Sequence, residues 1–296
     1  MHPLIKSLLT AGPLTLDGAW GTQLQARGLA LGEFPDTWNL SHPDRVKEVA
    51  CAYVEAGREV ILTNTFGANR VRLAEQNQSN NVIEINRRGV EISREAASGR
   101  ARVFASIGPS GKLLCNGEIA PEELQAAFRE QARVLAQGGA DALVIETMSD
   151  LKEAVLAAKA ACETGLPVVV CMVFDSGKQK DRTLMGDTPE KAAEALTEAG
   201  ADVIGANCGQ GIAGFLPICK RLRAATDRPV WIKPNAGLPT VVDGRAQYSA
   251  TPAEFASCLP PLFEAGAQFV GGCCGTTPEF VAEIHRACLQ IAAARQ

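Results

Sequence analysis

Three cysteines have side chains and positions that suit joint chemistry. Cys273 and Cys274 are adjacent in the segment GGCCGTTPE, which precedes a helical pattern, and Cys208 lies in GANCGQG at the end of an apolar run. Three thiolates suit Zn²⁺, which keeps a fourth coordination position open in catalytic sites. At this point buried free thiols, or a strained disulfide between the adjacent pair, remain alternatives.

A metal held by three thiolates favours a particular kind of chemistry. The three ligands donate much negative charge to the ion, which favours a soft fourth ligand such as sulfur. A thiol that binds there loses its proton, whereas a free thiol has a pKa of about 8.5. A metal at Cys208, Cys273 and Cys274 would therefore make a thiolate nucleophile available at neutral pH, and we expect alkylation of a thiol.

The elements that must bring these cysteines together repeat along the chain. Glycine just past a helix is a C-cap signal, and nearly unbroken apolar runs are typical of strands buried on both faces of a parallel sheet. Both features recur in EAGREVILTNTF, QGGADALVIETM, EAGADVIGANC and EAGAQFVGGCC. Filling the gaps between these segments predicts eight strands, at 14–18, 60–65, 103–107, 142–146, 167–174, 203–207, 230–233 and 269–272.

Eight strand–helix units in 296 residues predict an α/β fold of the (β/α)₈ TIM barrel type. The competing fold is a doubly wound open sheet, which usually carries G-x-G-x-x-G after its first strand. The segment LDGAWGTQL does not match that pattern. We therefore predict that residues 1–296 form one barrel domain, with reactive residues at the C-terminal ends of the strands.

Those strand ends are rich in thiol, carboxylate and amide groups but hold no histidine. The three histidines of the chain are His2, His42 and His285, and none follows a predicted strand. Acid–base catalysis by histidine therefore has little support.

Composition argues against several classes of protein. Hydrophobic residues make up 46% of the chain and charged residues 21%, as in ordinary globular proteins. A net charge of −4 with no basic stripe makes nucleic acid an unexpected partner. No segment approaches the roughly 20 apolar residues of a membrane span, and the first residues lack a signal-peptide pattern. Ten irregularly spaced cysteines fit reduced thiols, so we expect a cytoplasmic protein.

Six segments, taken in order, resemble one enzyme family. They are LDGAWGTQL, ILTNTFGAN, IETMSD, GANCGQG, KPNAGLP and GGCCGTTPE. The family is that of the homocysteine S-methyltransferases, and the likeness is closest to the homocysteine-binding barrel of cobalamin-dependent methionine synthase. The resemblance covers about residues 12–290. It implies a zinc ion held by Cys208, Cys273 and Cys274, with the homocysteine thiolate as the open ligand.

The resemblance also implies how the amino acid is held. Glu146 in IETM matches the family glutamate that receives the substrate ammonium; the alternative is a glutamate paired with a core lysine or arginine. The backbone amides of Gly18 and Ala19 would take the substrate carboxylate, and Asp17 would orient this loop or reach the amine. Asn235 would cover the zinc when substrate is absent, unless it only stabilises a turn.

The methyl donor remains open. The sequence has no D-x-H-x-x-G, the signature expected of a cobalamin module, and no second segment long enough for a folate domain. The donor is then a small sulfonium or ammonium compound, such as S-methylmethionine or a betaine-like molecule, or methylcobalamin on a separate corrinoid protein. Cationic donors rest on aromatic faces. Trp20 is the favoured contact, with core packing as its alternative, and Trp38 and Phe66 are further candidates.

The sequence leaves two other functions open. The protein could methylate a corrinoid partner from another small methyl compound, or it could be a non-catalytic redox protein that uses a Cys273–Cys274 disulfide.

The polar loop at 175–190 is long enough to contact a donor or partner, although a solvated loop is the default.

Overall fold

The predicted strands form a nearly closed arrangement around a central axis. A computed structural model describes residues 1–242 and 245–294. Its barrel strands are β1 (Leu14–Thr15), β2 (Val60–Leu62), β3 (Arg102–Ile107), β4 (Ala142–Met148), β5 (Val168–Met172), β6 (Val203–Gly211), β7 (Val230–Asn235) and β10 (Ala267–Val270). They pair in parallel in the order β1-β10-β7-β6-β5-β4-β3-β2. All eight predicted strands are present, and the (β/α)₈ TIM barrel is confirmed.

Helices separate the strands and pack around the sheet. They are α1 (Pro3–Leu8), α2 (Gly21–Ala26), α3 (Trp38–Ser41), α4 (Pro43–Glu55), α5 (Arg70–Ala74), α6 (Val82–Ala97), α7 (Pro121–Gln137), α8 (Leu151–Cys162), α9 (Pro189–Glu198), α10 (Phe215–Ala225), α11 (Pro252–Ser257), α12 (Leu259–Glu264) and α13 (Pro278–Ala294). Over residues 1–242 and 245–294, no helix combines the length and apolar character that crossing a membrane requires.

Local sequence signals set several helix starts. Thr251 and Glu254 form a capping box at α11, in which each side chain satisfies a backbone N–H of the other residue. Thr188 accepts a hydrogen bond from the Lys191 N–H at the start of α9. An antiparallel pair, β8 (Thr240–Val242) and β9 (Arg245–Gln247), follows β7 and was not predicted from the sequence.

The barrel interior contains three large aromatic side chains that pack together among aliphatic ones. The Trp231 ring stacks between Phe104, at a centroid distance of 6.2 Å, and Phe269, at 5.4 Å. Gly205 on β6 is paired with Trp231 on β7. A Cβ atom at Gly205 would lie 2.1 Å from the Trp231 carbonyl oxygen, so this position requires glycine. The packing holds β6 and β7 in close register below their C-terminal ends.

Side chains help to close the seam between β1 and β2. The Glu59 N–H donates to the Thr15 carbonyl at 2.9 Å, and the Thr15 N–H donates to Glu59 Oε2 at 2.7 Å. One step further along, the Leu62 N–H donates to Asp17 Oδ2 at 2.8 Å. Strand β1 ends at Thr15, short of the predicted 14–18, although the Leu16 N–H still donates to the Val270 carbonyl at 2.8 Å.

A buried carboxylate braces the loop after β2. Asp36 is 3% exposed, and its Oδ1 accepts a hydrogen bond from the Gly67 N–H at 2.9 Å. Burial raises the pKa of Asp36 to about 6, against the hydrogen bond from Gly67 and the charge of Arg72. Folding therefore favours the protonated form of this group.

We expect Gly205→Ala to destabilise the barrel by about 3 kcal/mol, because the added methyl group meets backbone that has no room to move. Gly21→Ala is the matched control, since a Cβ atom there meets nothing within 4 Å. Chemical denaturation measures both free energies of unfolding. Equal values for the two variants would contradict the tight β6–β7 packing.

We expect Asp36→Asn to stabilise the protein at pH 7.5 but not at pH 3.5. The pKa of Asp36 is raised in the folded state from 3.8 to about 6, so the protein loses stability as pH rises through this window and the carboxylate must ionise. A shift of this size corresponds to up to about 3 kcal/mol at pH 7.5. The asparagine variant lacks this loss.

Denaturation from pH 3.5 to pH 7.5 checks this expectation. Asp227→Asn is the control, because its side chain is 87% exposed. Stability curves of the wild type and Asp36→Asn that run parallel over the whole range would show that Asp36 titrates normally.

Candidate metal and substrate site

The three cysteines singled out from the sequence lie together. The Sγ atoms of Cys208, Cys273 and Cys274 are all within 4.8 Å of one another. A metal–sulfur distance of about 2.3 Å places two thiolates of a tetrahedral site about 4 Å apart. The cluster therefore fits a single soft divalent ion by both distance and donor type.

Strand β7 lies between β6, which carries Cys208, and β10, which is followed by the turn that carries Cys273 and Cys274. Cys208 on β6 is in register with Pro234 on β7. On the other side of β7, the Cys273 N–H donates to the Pro234 carbonyl at 2.7 Å, and the Ala236 N–H donates to the Cys274 carbonyl at 3.0 Å. Backbone pairing on both sides of β7 thus fixes where the sulfur-bearing residues sit.

Backbone distortions mark both ends of the cluster. Cys208 and Gly209 have φ angles of +61° and +63°, and the β6–β7 register shifts between Cys208 and Gly211. A non-glycine residue in this conformation costs on the order of 1–3 kcal/mol and is typical of functional sites. Gly275, which follows the cysteine pair, has φ +81° and lies against the Tyr248 ring, where a Cβ atom would come within 2.2 Å of Cγ.

The three thiols interact strongly with one another. Hydrogen bonding by Cys273 and Cys274 lowers the pKa of Cys208 to about 3. The interaction with Cys208 raises the pKa of Cys273 well above its usual value and that of Cys274 to about 12. The protein groups alone therefore favour one thiolate supported by two thiols, whereas a bound cation would deprotonate all three.

Glu146 is buried in the same region, and two protein groups hydrogen-bond to it. Ser106 Oγ donates to Oε1 at 2.5 Å, and Asn207 Nδ2 lies 3.3 Å from Oε2. Burial raises the pKa of Glu146, and the positive charge of Lys233 opposes that rise. The ion pair of Lys233 is with Asp17, so the alternative in which a core lysine pairs directly with Glu146 is not what the structure has.

Asn207 joins the carboxylate to the thiol cluster; it lies at a predicted strand end but was not assigned a role. Its Nδ2 lies 2.8 Å from Thr147 Oγ1 and 3.9 Å from Cys273 Sγ, and its Oδ1 accepts from the Thr147 N–H at 2.8 Å. Thr147, like Cys208, has a positive φ, of +63°. The amide therefore positions the ends of β4 and β6 relative to the cysteine pair.

Asp17 is fully buried, and both of its carboxylate oxygens are used within the protein. Oδ1 lies 2.6 Å from Lys233 Nζ, while Oδ2 accepts from Trp20 Nε1 and from the Leu62 N–H, each at 2.8 Å. These contacts orient the loop after β1. Lys233 was missed, although a lysine inside the apolar run VWIKPN is a signal of a buried charge.

The loop after Asp17 is held by two further residues that the sequence did not single out. The Ala19 N–H donates to Thr276 Oγ1 at 3.1 Å, and Tyr53 Oη donates to the Ala19 carbonyl at 2.6 Å. Burial raises the pKa of Tyr53 well above its usual value, so the phenol remains a donor. The Ala19 amide is thus already engaged by the protein.

A cavity of about 340 Å³ connects these groups and is large enough for an amino acid. It brings together most of the predicted site residues with several that were missed. Its lining includes Gly18, Ala19, Trp20, Asp36, Phe66, Ser106, Glu146, Thr147, Cys208, Lys233, Cys273 and Cys274.

Two of the three aromatic candidates reach this cavity. Trp20 and the partly exposed Phe66 line it, whereas Trp38 is buried against His42 with a centroid distance of 4.5 Å. Trp20 also packs against the core, so the two interpretations of this residue are compatible.

Asn235 and the loop after β5 lie beside the cavity. Asn235 Nδ2 donates to the Gly209 carbonyl at 3.1 Å, and its buried Oδ1 has no hydrogen-bond partner among the described residues. Asp175 and Lys180, from the loop predicted at 175–190, line a neighbouring cavity of about 530 Å³ that also includes Gly209.

Comparison with known proteins gives both sequence and structural relatives. The chain is 33% identical over 284 residues to the methionine synthase of Mycobacterium leprae and 33% identical over 291 residues to that of Mycobacterium tuberculosis. These alignments cover 90% and 93% of this chain but 24% of each relative. The chain thus spans about a quarter of the length of these curated relatives.

A solved structure supports the fold. The homocysteine methyltransferase MmuM of Escherichia coli, in its metallated form, superposes with a TM-score of 0.81 over 96% of this chain and 99% of that one. At 24% identity, this likeness shows the barrel fold alone. The model of the homocysteine S-methyltransferase family matches residues 14–288, nearly the whole chain. The chain belongs to the homocysteine S-methyltransferase family.

Proposed function

We propose that this chain is a zinc-dependent methyltransferase that moves a methyl group onto the thiolate of homocysteine to give methionine. The observation that carries the proposal is the placement of three thiols, all within 4.8 Å of one another, on the same cavity as Glu146. Membership of the homocysteine S-methyltransferase family supports the choice of acceptor.

Cys208, Cys273 and Cys274 would hold the zinc ion. When bound, Zn²⁺ supplies Lewis acidity that favours the thiolate form of an incoming thiol at neutral pH. The unpartnered Oδ1 of Asn235, next to Gly209, supports a role in covering the metal when substrate is absent.

The amino-acid part of homocysteine would be held by the rest of the cavity. Glu146 receives the ammonium group, because the hydrogen bonds from Ser106 and Asn207 fix its carboxylate at the cavity wall. The loop at Gly18 and Ala19 faces the same cavity and contributes to the carboxylate end. Asp17 positions that loop rather than reaching the amine, since its oxygens are already engaged.

The transfer forms a carbon–sulfur bond and breaks the bond between the methyl group and its donor. The electron pair of the broken bond stays with the donor, and the thiol proton is released to solvent. Trp20 and Phe66 offer aromatic faces for a sulfonium or ammonium donor such as S-methylmethionine or a betaine-like compound. The alternative donor is methylcobalamin carried by a separate corrinoid protein, as the resemblance of the sequence to the barrel of cobalamin-dependent methionine synthase implies.

We expect Glu146→Gln to raise the KM for homocysteine by about 10- to 100-fold, because it removes one charge-assisted hydrogen bond and keeps the side-chain shape. Initial rates at a fixed donor concentration measure this change. Glu198→Gln, at an exposed position on α9, is the control and should leave KM unchanged. An unaltered KM in Glu146→Gln would remove Glu146 from the substrate site.

A donor screen tests the activity itself. Zinc-loaded protein and homocysteine are incubated separately with S-methylmethionine, betaine and methylcobalamin, and methionine is quantified. We expect methionine from at least one donor, none with Cys208→Ser, and normal yield with Cys115→Ser, whose thiol is exposed and outside the cluster. Methionine formation that survives in Cys208→Ser would contradict the proposal.

A further inference from the structure

Lys233 is a buried cation in the acceptor cavity to which the proposed function gives no task. Its side chain is 3% exposed, and the residue lines the same cavity as Glu146 and the three cysteines. Among the described residues that line this cavity, it is the only lysine, arginine or histidine. An ammonium group has three N–H donors, and Asp17 Oδ1, at 2.6 Å, accepts one of them.

The charges around Lys233 create a problem for an amino-acid ligand. Glu146 and three thiolates on a divalent ion would leave the cavity with an excess of negative charge, which attracts the ammonium of homocysteine but repels its carboxylate. The Ala19 amide is already bonded to Thr276 Oγ1. A cationic partner beyond the loop amides would therefore stabilise a carboxylate in this cavity.

Contacts within the protein already hold Lys233 in place at this cavity. Asp17 fixes the ammonium at one side and is itself held by the Leu62 N–H and Trp20 Nε1, so the lysine needs little reorganisation on binding. Asp17 and Gly18 are consecutive, which places the pair directly at the loop assigned to the carboxylate end of the substrate.

We propose that the Lys233 ammonium binds the carboxylate of the acceptor amino acid and thereby selects thiols that carry a carboxylate. The inference rests on the proposed function and deepens it. Glu146 and Lys233 would recognise the two ends of a zwitterion, while the metal site recognises its sulfur.

Three thiols that differ by one charged group test this assignment. They are homocysteine, its decarboxylated analogue aminopropanethiol and its deaminated analogue mercaptobutanoate. Their dissociation constants are measured by calorimetry on the zinc-loaded native protein and on Lys233→Met. We expect Lys233→Met to weaken homocysteine and mercaptobutanoate by about 10- to 100-fold and to leave aminopropanethiol within about twofold. Glu146→Gln should give the reciprocal pattern, with aminopropanethiol weakened and mercaptobutanoate retained.

A second variant separates carboxylate binding from charge neutralisation. Lys233→Met leaves the buried Asp17 unpaired, whereas Asp17→Asn combined with Lys233→Met removes both charges and keeps a foldable core. If Lys233 binds the substrate carboxylate, the double variant still binds mercaptobutanoate more weakly than the native protein does. Recovery of native homocysteine affinity in the double variant would overturn the assignment, because Lys233 would then serve only to neutralise Asp17.

Controls distinguish failure of this assignment from failure of the proposed function. Lys220→Met, at an exposed position on α10, should bind all three thiols as the native protein does. Equal weakening of the binding of all three thiols in Lys233→Met would contradict carboxylate recognition by Lys233 but not the proposed function. Failure of every thiol to bind the native zinc-loaded protein would contradict the proposed function as well.

Discussion

The site depends on strand β7, which pairs on one side with β6 and on the other side with the segment that carries the adjacent cysteines. The cysteines come from β6 and from the turn after β10, which are not neighbours, yet their sulfur atoms approach within 4.8 Å. Pro234 makes this possible because its register with Cys208 and its hydrogen bond with the Cys273 N–H tie both sides to one strand. The left-handed backbone of Cys208 costs on the order of 1–3 kcal/mol. The packing of the aromatic interior below it can offset this conformational free energy.

A buried ion pair connects the cysteine end of the cavity with the seam of the barrel. Asp17 supplies the acceptor that β1 does not offer to Leu62 and also holds Trp20 and Lys233. Because Lys233 pairs with Asp17, Glu146 keeps its carboxylate for hydrogen bonds from Ser106 and Asn207. Removing one member of a buried ion pair leaves the other charge buried and unpaired, which destabilises the protein. The fold and the site therefore depend on each other.

The sequence predicted those features that local signals encode. Glycine caps and apolar runs gave the eight strands, and the position of Cys208, Cys273 and Cys274 at strand ends placed them on one rim. The partnership of Lys233 with Asp17 was missed because it joins residues 216 positions apart in a way that no pattern records. The distortion that ends regular pairing at Cys208 and the β8–β9 pair likewise depend on tertiary contacts and turn geometry rather than on periodicity.

The proposed function depends on three thiolates that hold a metal and on the activation of a thiol by that metal. Freshly reduced protein is tested for zinc per chain, and homocysteine is then titrated in while proton release is followed. We predict one zinc ion per native chain, its loss in Cys208→Ser but not in Cys115→Ser, and release of a proton as homocysteine binds. Native reduced protein that takes up no zinc when the metal is supplied would contradict the proposed metal site and favour a redox role for the adjacent cysteines.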